Sequence, residues 1–128
     1  MTREEKDLLL RDFCGRLPYG IKAKANDITV VTINGIVKRQ SLTGYFDYDI
    51  ITDNGNFYLK EVKPYLRPMS SMTEEEKVKL SLSQIYAFTH YNEIAKIDWL
   101  NEHHFDYRGL IDKGLAIEVT EDNNPYKD

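Results

Sequence analysis

Ile28-Thr-Val-Val-Thr-Ile-Asn-Gly-Ile-Val-Lys-Arg39 is a run of β-branched residues interrupted once, at Asn34-Gly35. Branched side chains suit a pleated strand, and Asn-Gly is the dipeptide that best takes the positive φ angles of a two-residue hairpin turn. The run therefore predicts two strands, 28–33 and 36–42, folded back on each other. Asn54-Gly55 repeats the signal between Tyr45-Phe-Asp-Tyr-Asp-Ile-Ile51 and Asn56-Phe-Tyr-Leu-Lys-Glu-Val62. With a further candidate at 20–25, the segments 28–33, 36–42, 45–51 and 56–62 form an antiparallel meander, a curled sheet of four or five strands.

Helical signals flank that sheet. Thr2 with Glu5 three residues on matches a capping box, and Leu8, Leu9, Leu10, Phe13 and Leu17 make an apolar stripe before Gly15, Pro18 and Gly20 interrupt it. A helix over 2–15 follows, its Arg11 and Arg16 favoured by the macrodipole and its Cys14 expected to pack as a small apolar group. After the sheet, Pro64 and Pro68 remove ladder donors, so 63–72 reads as a stiff connector. Thr73-Glu-Glu-Glu76 is a second capping box, with Val78, Leu82, Ile85, Phe88 and Thr89 on one helical face to about Asn92. A shorter helix near 95–103 carries Ile97, Trp99 and Leu100, the stretch 105–111 adds a turn, and 115–119 can return as a final strand. The fold class is α+β: an N-terminal helix, the antiparallel curled sheet, two to three C-terminal helices and room for that strand. Residues 1–120 form a single domain, and the polar tail 121–128 is expected to fray.

Composition narrows the function. The 128 residues hold 17 Lys and Arg against 21 Asp and Glu, a net charge of −4, which disfavours a protein that coats nucleic acid by neutralising phosphates. One cysteine forms no internal disulfide, charged Arg3, Glu4, Glu5 and Lys6 stand where a signal peptide would be apolar, and no apolar run nears the ~20 residues that cross a bilayer. The chain reads as cytoplasmic with no membrane contact. Nine tyrosines offer apolar area with a polar tip, suited to a binding surface.

Two clusters are candidate ligand sites. Lys63, Tyr65, Arg67, Ser70, Ser71 and Thr73 combine cations and hydroxyls at a helix start, where a phosphate could be held. The alternative is that Ser70, Ser71 and Thr73 only cap the helix. Lys22, Lys24, Lys38 and Arg39 lie on neighbouring strands near Tyr45 and Tyr48, as in sites that hold nucleotides by charge and stacking, or as lysines that merely solvate a strand face. His103-His104 beside Asp106, with His90, invites a metal reading, but adjacent helical residues diverge by about 100° and no metal spacing supports it. Asp47, Asp49 and Asp53 lack the later ligands of a calcium loop. No nucleophile elbow, phosphate loop or dinucleotide fingerprint occurs, so no cofactor is expected and the reading leans away from an enzyme.

The blocks Leu17-Pro-Tyr-Gly20, Lys63-Pro-Tyr-Leu-Arg-Pro-Met-Ser-Ser-Met-Thr-Glu-Glu-Glu76 and Trp99-Leu-Asn-Glu-His-His-Phe-Asp-Tyr-Arg-Gly-Leu-Ile111 resemble an uncharacterised family of short proteins from gut Bacteroidales and their phages or prophages. The resemblance implies a mobile-element context and carries over no site residue. Together these readings predict a non-enzymatic binding module that captures a small phosphorylated or nucleotide-like ligand, with blunting of a host defence signal as one role for such capture. The alternative is a protein-interaction module that binds a host protein or itself, and nucleic-acid binding ranks third.

Overall fold

In the computed structural model of the protein, which describes residues 1–40, 42, 46–86 and 92–127, the chain folds into a mixed sheet flanked by helices, an α+β architecture. Helix α1, Arg3–Arg16, begins at its predicted cap: Thr2 Oγ1 accepts the Glu5 N–H at 3.1 Å and the Glu5 carboxylate accepts the Thr2 N–H at 2.8 Å. Leu9 and Phe13 are fully buried against Ile21, Ala23, Val31, Ile33 and Ile50, so α1 covers one face of the sheet. Cys14 points away from that core and is exposed, against its expected packing.

The strands are β1 Lys22–Ala25, β2 Thr29–Gln40, β3 Phe46–Thr52, β4 Gly55–Tyr58, β5 Val62–Pro68, β6 Phe105–Asp106 and β7 Ile117–Glu118. They lie in the order β4-β3-β2-β1-β5-β6, with β7 also on β5. β1 to β4 pair antiparallel in succession, β5 pairs antiparallel with β1, and β6 and β7 run parallel to β5, so the sheet is mixed where an antiparallel one was expected.

The Asn34-Gly35 hairpin does not form. β2 continues through it, and the pair survives as a bulge where the register against β3 shifts between Ile33 and Gly35. The turn lies earlier, over 25–28, where Asn26 and Asp27 take φ of 52° and 60° and the Ile28 N–H reaches the Ala25 carbonyl at 3.1 Å. Asn and Asp tolerate this left-handed backbone, so the pair serves as Asn-Gly would. The second signal holds: β3 and β4 pair across Asp53 and Asn54, with Gly55 at φ 97°.

The expected connector is a strand. β5 spans both prolines in the middle of the sheet. The Glu61 carbonyl accepts from Asn26, and Lys63 sits opposite Lys24, so alternate backbone groups from 61 onward face β1. Pro64 turns its missing N–H to the other edge, where β7 pairs only with Tyr65 and Leu66.

Helices α2, Glu74–Tyr86, and α3, Asn92–Glu102, pack on each other, and Trp99, Leu100 and Phe105 make a second buried cluster. Phe88, Thr89, His90 and Tyr45 lie outside the described residues, whereas Val78, expected on the packed face, is 58% exposed. The tail is also anchored where fraying was expected. The Tyr126 hydroxyl donates to the Tyr65 carbonyl at 2.7 Å and accepts the Lys22 N–H at 3.1 Å. In the β1–β5 register Lys22 would come next opposite Tyr65, so this hydroxyl bridges the strands where their direct pairing stops. No helix among the described residues is long and apolar enough to cross a membrane.

Candidate functional site

The second face of the sheet follows from strand alternation. Ala23 and Ala25, Val31 and Ile33, and Val62 and Leu66 are buried on the α1 side. Lys22 and Lys24, Val30 and Thr32, and Lys63 therefore stand on the opposite side, joined beyond the bulge by Val37, Arg39, Asp49 and Tyr58. Val30, Val37 and Tyr58 are 49%, 46% and 42% exposed there, so this stretch of β1 to β4 is uncovered.

The candidate ligand residues separate. Arg67 donates to both Glu76 oxygens, at 2.6 and 2.7 Å, and its guanidinium lies 4.1 Å from the Phe105 ring centroid. Glu76 also accepts the Thr73 N–H at 3.0 Å while Thr73 Oγ1 accepts the Glu76 N–H, the second capping box. The hydrogen bonds from Arg67 hold the Glu76 carboxyl down at about 2. Ser71 donates to the Pro68 carbonyl, Ser70 is exposed in the 3-10 turn Met69–Ser71, and Tyr65 is buried. Arg67, Ser71 and Thr73 are thus drawn together as a closed clasp that fastens α2 to β5, and a phosphate would have to displace Glu76.

Lys38 and Arg39, being adjacent on β2, part to opposite faces. Lys38 lines a hollow of about 910 Å³ beside the first turns of α1, where Arg3 and Lys6 are matched by Glu4, Asp7 and Asp47. Arg39 borders a smaller one of about 440 Å³, paired with Asp49 at 3.3 Å and 5.4 Å from the Tyr58 ring centroid. Neither hollow has the cationic excess that would select an anion. Lys22 donates to Thr32 Oγ1 at 2.7 Å. The side chains of Lys24 and Lys63 have no hydrogen-bond or ion-pair partner among the described residues. The structure therefore unites Lys22, Lys24 and Lys63 from the two sequence clusters, sets Arg39 farther along the same face in its pair with Asp49, and leaves Lys38 and Arg67 elsewhere.

The remaining polar groups maintain the fold. Arg16 is wholly buried: it donates to Asp12 at 2.8 and 3.1 Å and to the Phe105 carbonyl at 2.6 Å, and Arg108 lies 3.4 Å from the same carboxylate. Burial pushes the Asp12 carboxyl up, and the two guanidinia pull against it. Asp106 accepts the Leu110 and Ile111 N–H groups at 2.9 Å each. His103 stacks on Trp99 with ring centroids 4.0 Å apart, whereas His104 stacks on Tyr126 at 3.7 Å. Burial, aided by the Arg16 charge, lowers the His104 imidazole to about 4. No group of three or more potential metal ligands occurs among the described residues.

The sequence reading missed Val30, Val37 and Tyr58 as a surface. Their signal was the alternation Val30-Val31-Thr32-Ile33, which names two faces once one is known to be buried. No family model, curated protein or solved structure matches the chain.

Proposed function

We propose that the protein is a binding module that docks another protein on the open face of its sheet. The observation that carries this reading is the exposure of Val30, Val37 and Tyr58 on one stretch of strands that also bears Lys22, Lys24 and Lys63. Apolar sheet surface is normally covered by a packed layer, and α1 serves only the other face. Side chains held on paired strands lose little freedom on docking, and exposed aromatics such as Tyr58 are the residues that anchor interfaces. Capture of a phosphorylated ligand, the leading expectation from sequence, has weaker support because Arg67 is engaged by Glu76 and neither hollow carries an excess of cationic side chains. The mobile-element resemblance points to a host protein as the partner class.

The test is affinity capture from bacterial lysate alongside sedimentation of the purified chain. Wild type should retain a partner in fixed stoichiometry, or pair with itself, and a Val37→Asp/Tyr58→Ala variant of unchanged melting temperature should lose it. A monomer that recovers nothing at micromolar concentration, or a variant that retains everything, would overturn the reading.

A further inference from the structure

Resting on that reading, we propose that the docked partner is an acidic amphipathic protein segment, its carboxylates meeting Lys22, Lys24 and Lys63 and its apolar side lying over Val30 and Val37. Pairing is the habit of the arginines in this chain: Arg11, Arg16, Arg39, Arg67 and Arg108 each meet a carboxylate. Lys24 and Lys63 instead face one another across β1 and β5, and neither has a side-chain partner among the described residues. Directly opposed side chains on antiparallel strands sit about 5 Å apart at Cβ, and like charges there destabilise the sheet. Lys22, two residues along β1, adds a third ammonium, held in place by Thr32. A protein with 21 acidic residues thus keeps three cations together where they hinder folding, and a carboxylate ligand offsets that repulsion on arrival.

Shape and charge also decide the class of occupant. Lys63, Lys24 and Val30 form one cross-strand row over three neighbouring strands. It spans roughly 10 Å, about the width of one α-helix. Lys22, Lys24 and Lys63 occupy the β1 and β5 end of the face, Val30 and Val37 lie on β2, and at the β3 end Arg39 is already paired with Asp49. A phosphate backbone needs cations along its whole track, and at the β3 end the Arg39 guanidinium is engaged by Asp49. A protein segment with acidic residues on one flank and aliphatic ones beside them fits both ends.

The test titrates the labelled protein, by amide NMR, with a 16-residue amphipathic peptide of Glu, Leu and Ala, with its Lys-for-Glu counterpart, and with a 16-nucleotide single-stranded DNA. The acidic peptide should shift amides of β1, β2 and β5. Its affinity should fall at least tenfold in Lys24→Glu/Lys63→Glu, and severalfold in the milder Lys24→Gln/Lys63→Gln should the reversal disturb the fold. Equal binding of both peptides to this face would overturn the acidic partner while leaving protein docking standing. Tighter binding of DNA, lost in the double variant, would replace the protein partner by nucleic acid. Binding of no probe would overturn the acidic partner alone, since the Val37→Asp/Tyr58→Ala capture judges the docking face independently.

Discussion

Two regions of this molecule hold cations beside aromatic rings, and they use them in opposite ways. At the junction of β5 and α2, Arg67 is bonded twice by Glu76 and lies on Phe105, while Glu76 completes the cap of the helix. On the open face, Lys24 and Lys63 have only each other among the described residues, and Tyr58 is 42% exposed. The first region spends its charge on joining two elements, whereas the second displays it. Residue types alone do not separate the two, because a guanidinium in a basic, serine-rich segment looks like a ligand site until its carboxylate is found nine residues on. What distinguishes the proposed docking face is charge that has no partner among the described residues.

The comparison can be broken first at its most buried point. Asp12→Ala strands the Arg16 guanidinium at zero exposure and should cost about 3–5 kcal/mol of unfolding free energy in denaturant titrations, since removing one partner leaves a buried charge uncompensated. Acid should act next. His104 titrates at about 4 when folded against 6.5 ordinarily, so between those values the unfolded chain binds more protons. Stability should therefore fall as pH drops from 6.5 towards 4, by on the order of 2 kcal/mol for a partly exposed ring. A His104→Asn variant, whose side chain tolerates the φ of 64°, should lack that component in pH-dependent melts.

Glu76→Gln should cost about 1–2 kcal/mol by weakening the clasp. The folded carboxyl sits near 2 against 4.5, so its contribution is complete above 4.5 and lost as pH falls towards 2. The variant should accordingly lose less stability than wild type over that interval. The smallest effect has the opposite sign. Lys24→Glu turns a repulsive cross-strand pair into an attractive one, and should raise stability by a few tenths to about 1 kcal/mol, a gain that shrinks in high salt.

Much of the architecture was legible because it rests on local rules. The Thr2 and Thr73 capping boxes located two helix starts, and Asn54-Gly55 located a hairpin, each through contacts within a few residues. The failures required long-range information. Asn34-Gly35 became a bulge because the turn at Asn26 and Asp27 had already reversed the chain and β3 extended the pairing of β2. Pro64 entered a central strand because its ring faced the edge that needed no donor, a fact set by the pairing with Lys24 and Lys63. Tyr126 was read as part of a loose tail, yet its hydroxyl bonds to residues 104 and 61 positions away. The candidate site was legible as an inventory of cations, but Lys22 and Lys63 became neighbours only through the β1–β5 register, and Val30 joined them only once Val31 was known to be buried.

The proposed docking face is tested most directly by amine-reactive footprinting of Lys24 and Lys63 in the free protein and in any complex recovered by capture. The account predicts rapid labelling of both in the free chain and strong protection in the complex, with Lys96 on α3 labelled equally in both. Unchanged labelling of Lys24 and Lys63 in a stable complex would contradict it, because the partner would then sit on another surface.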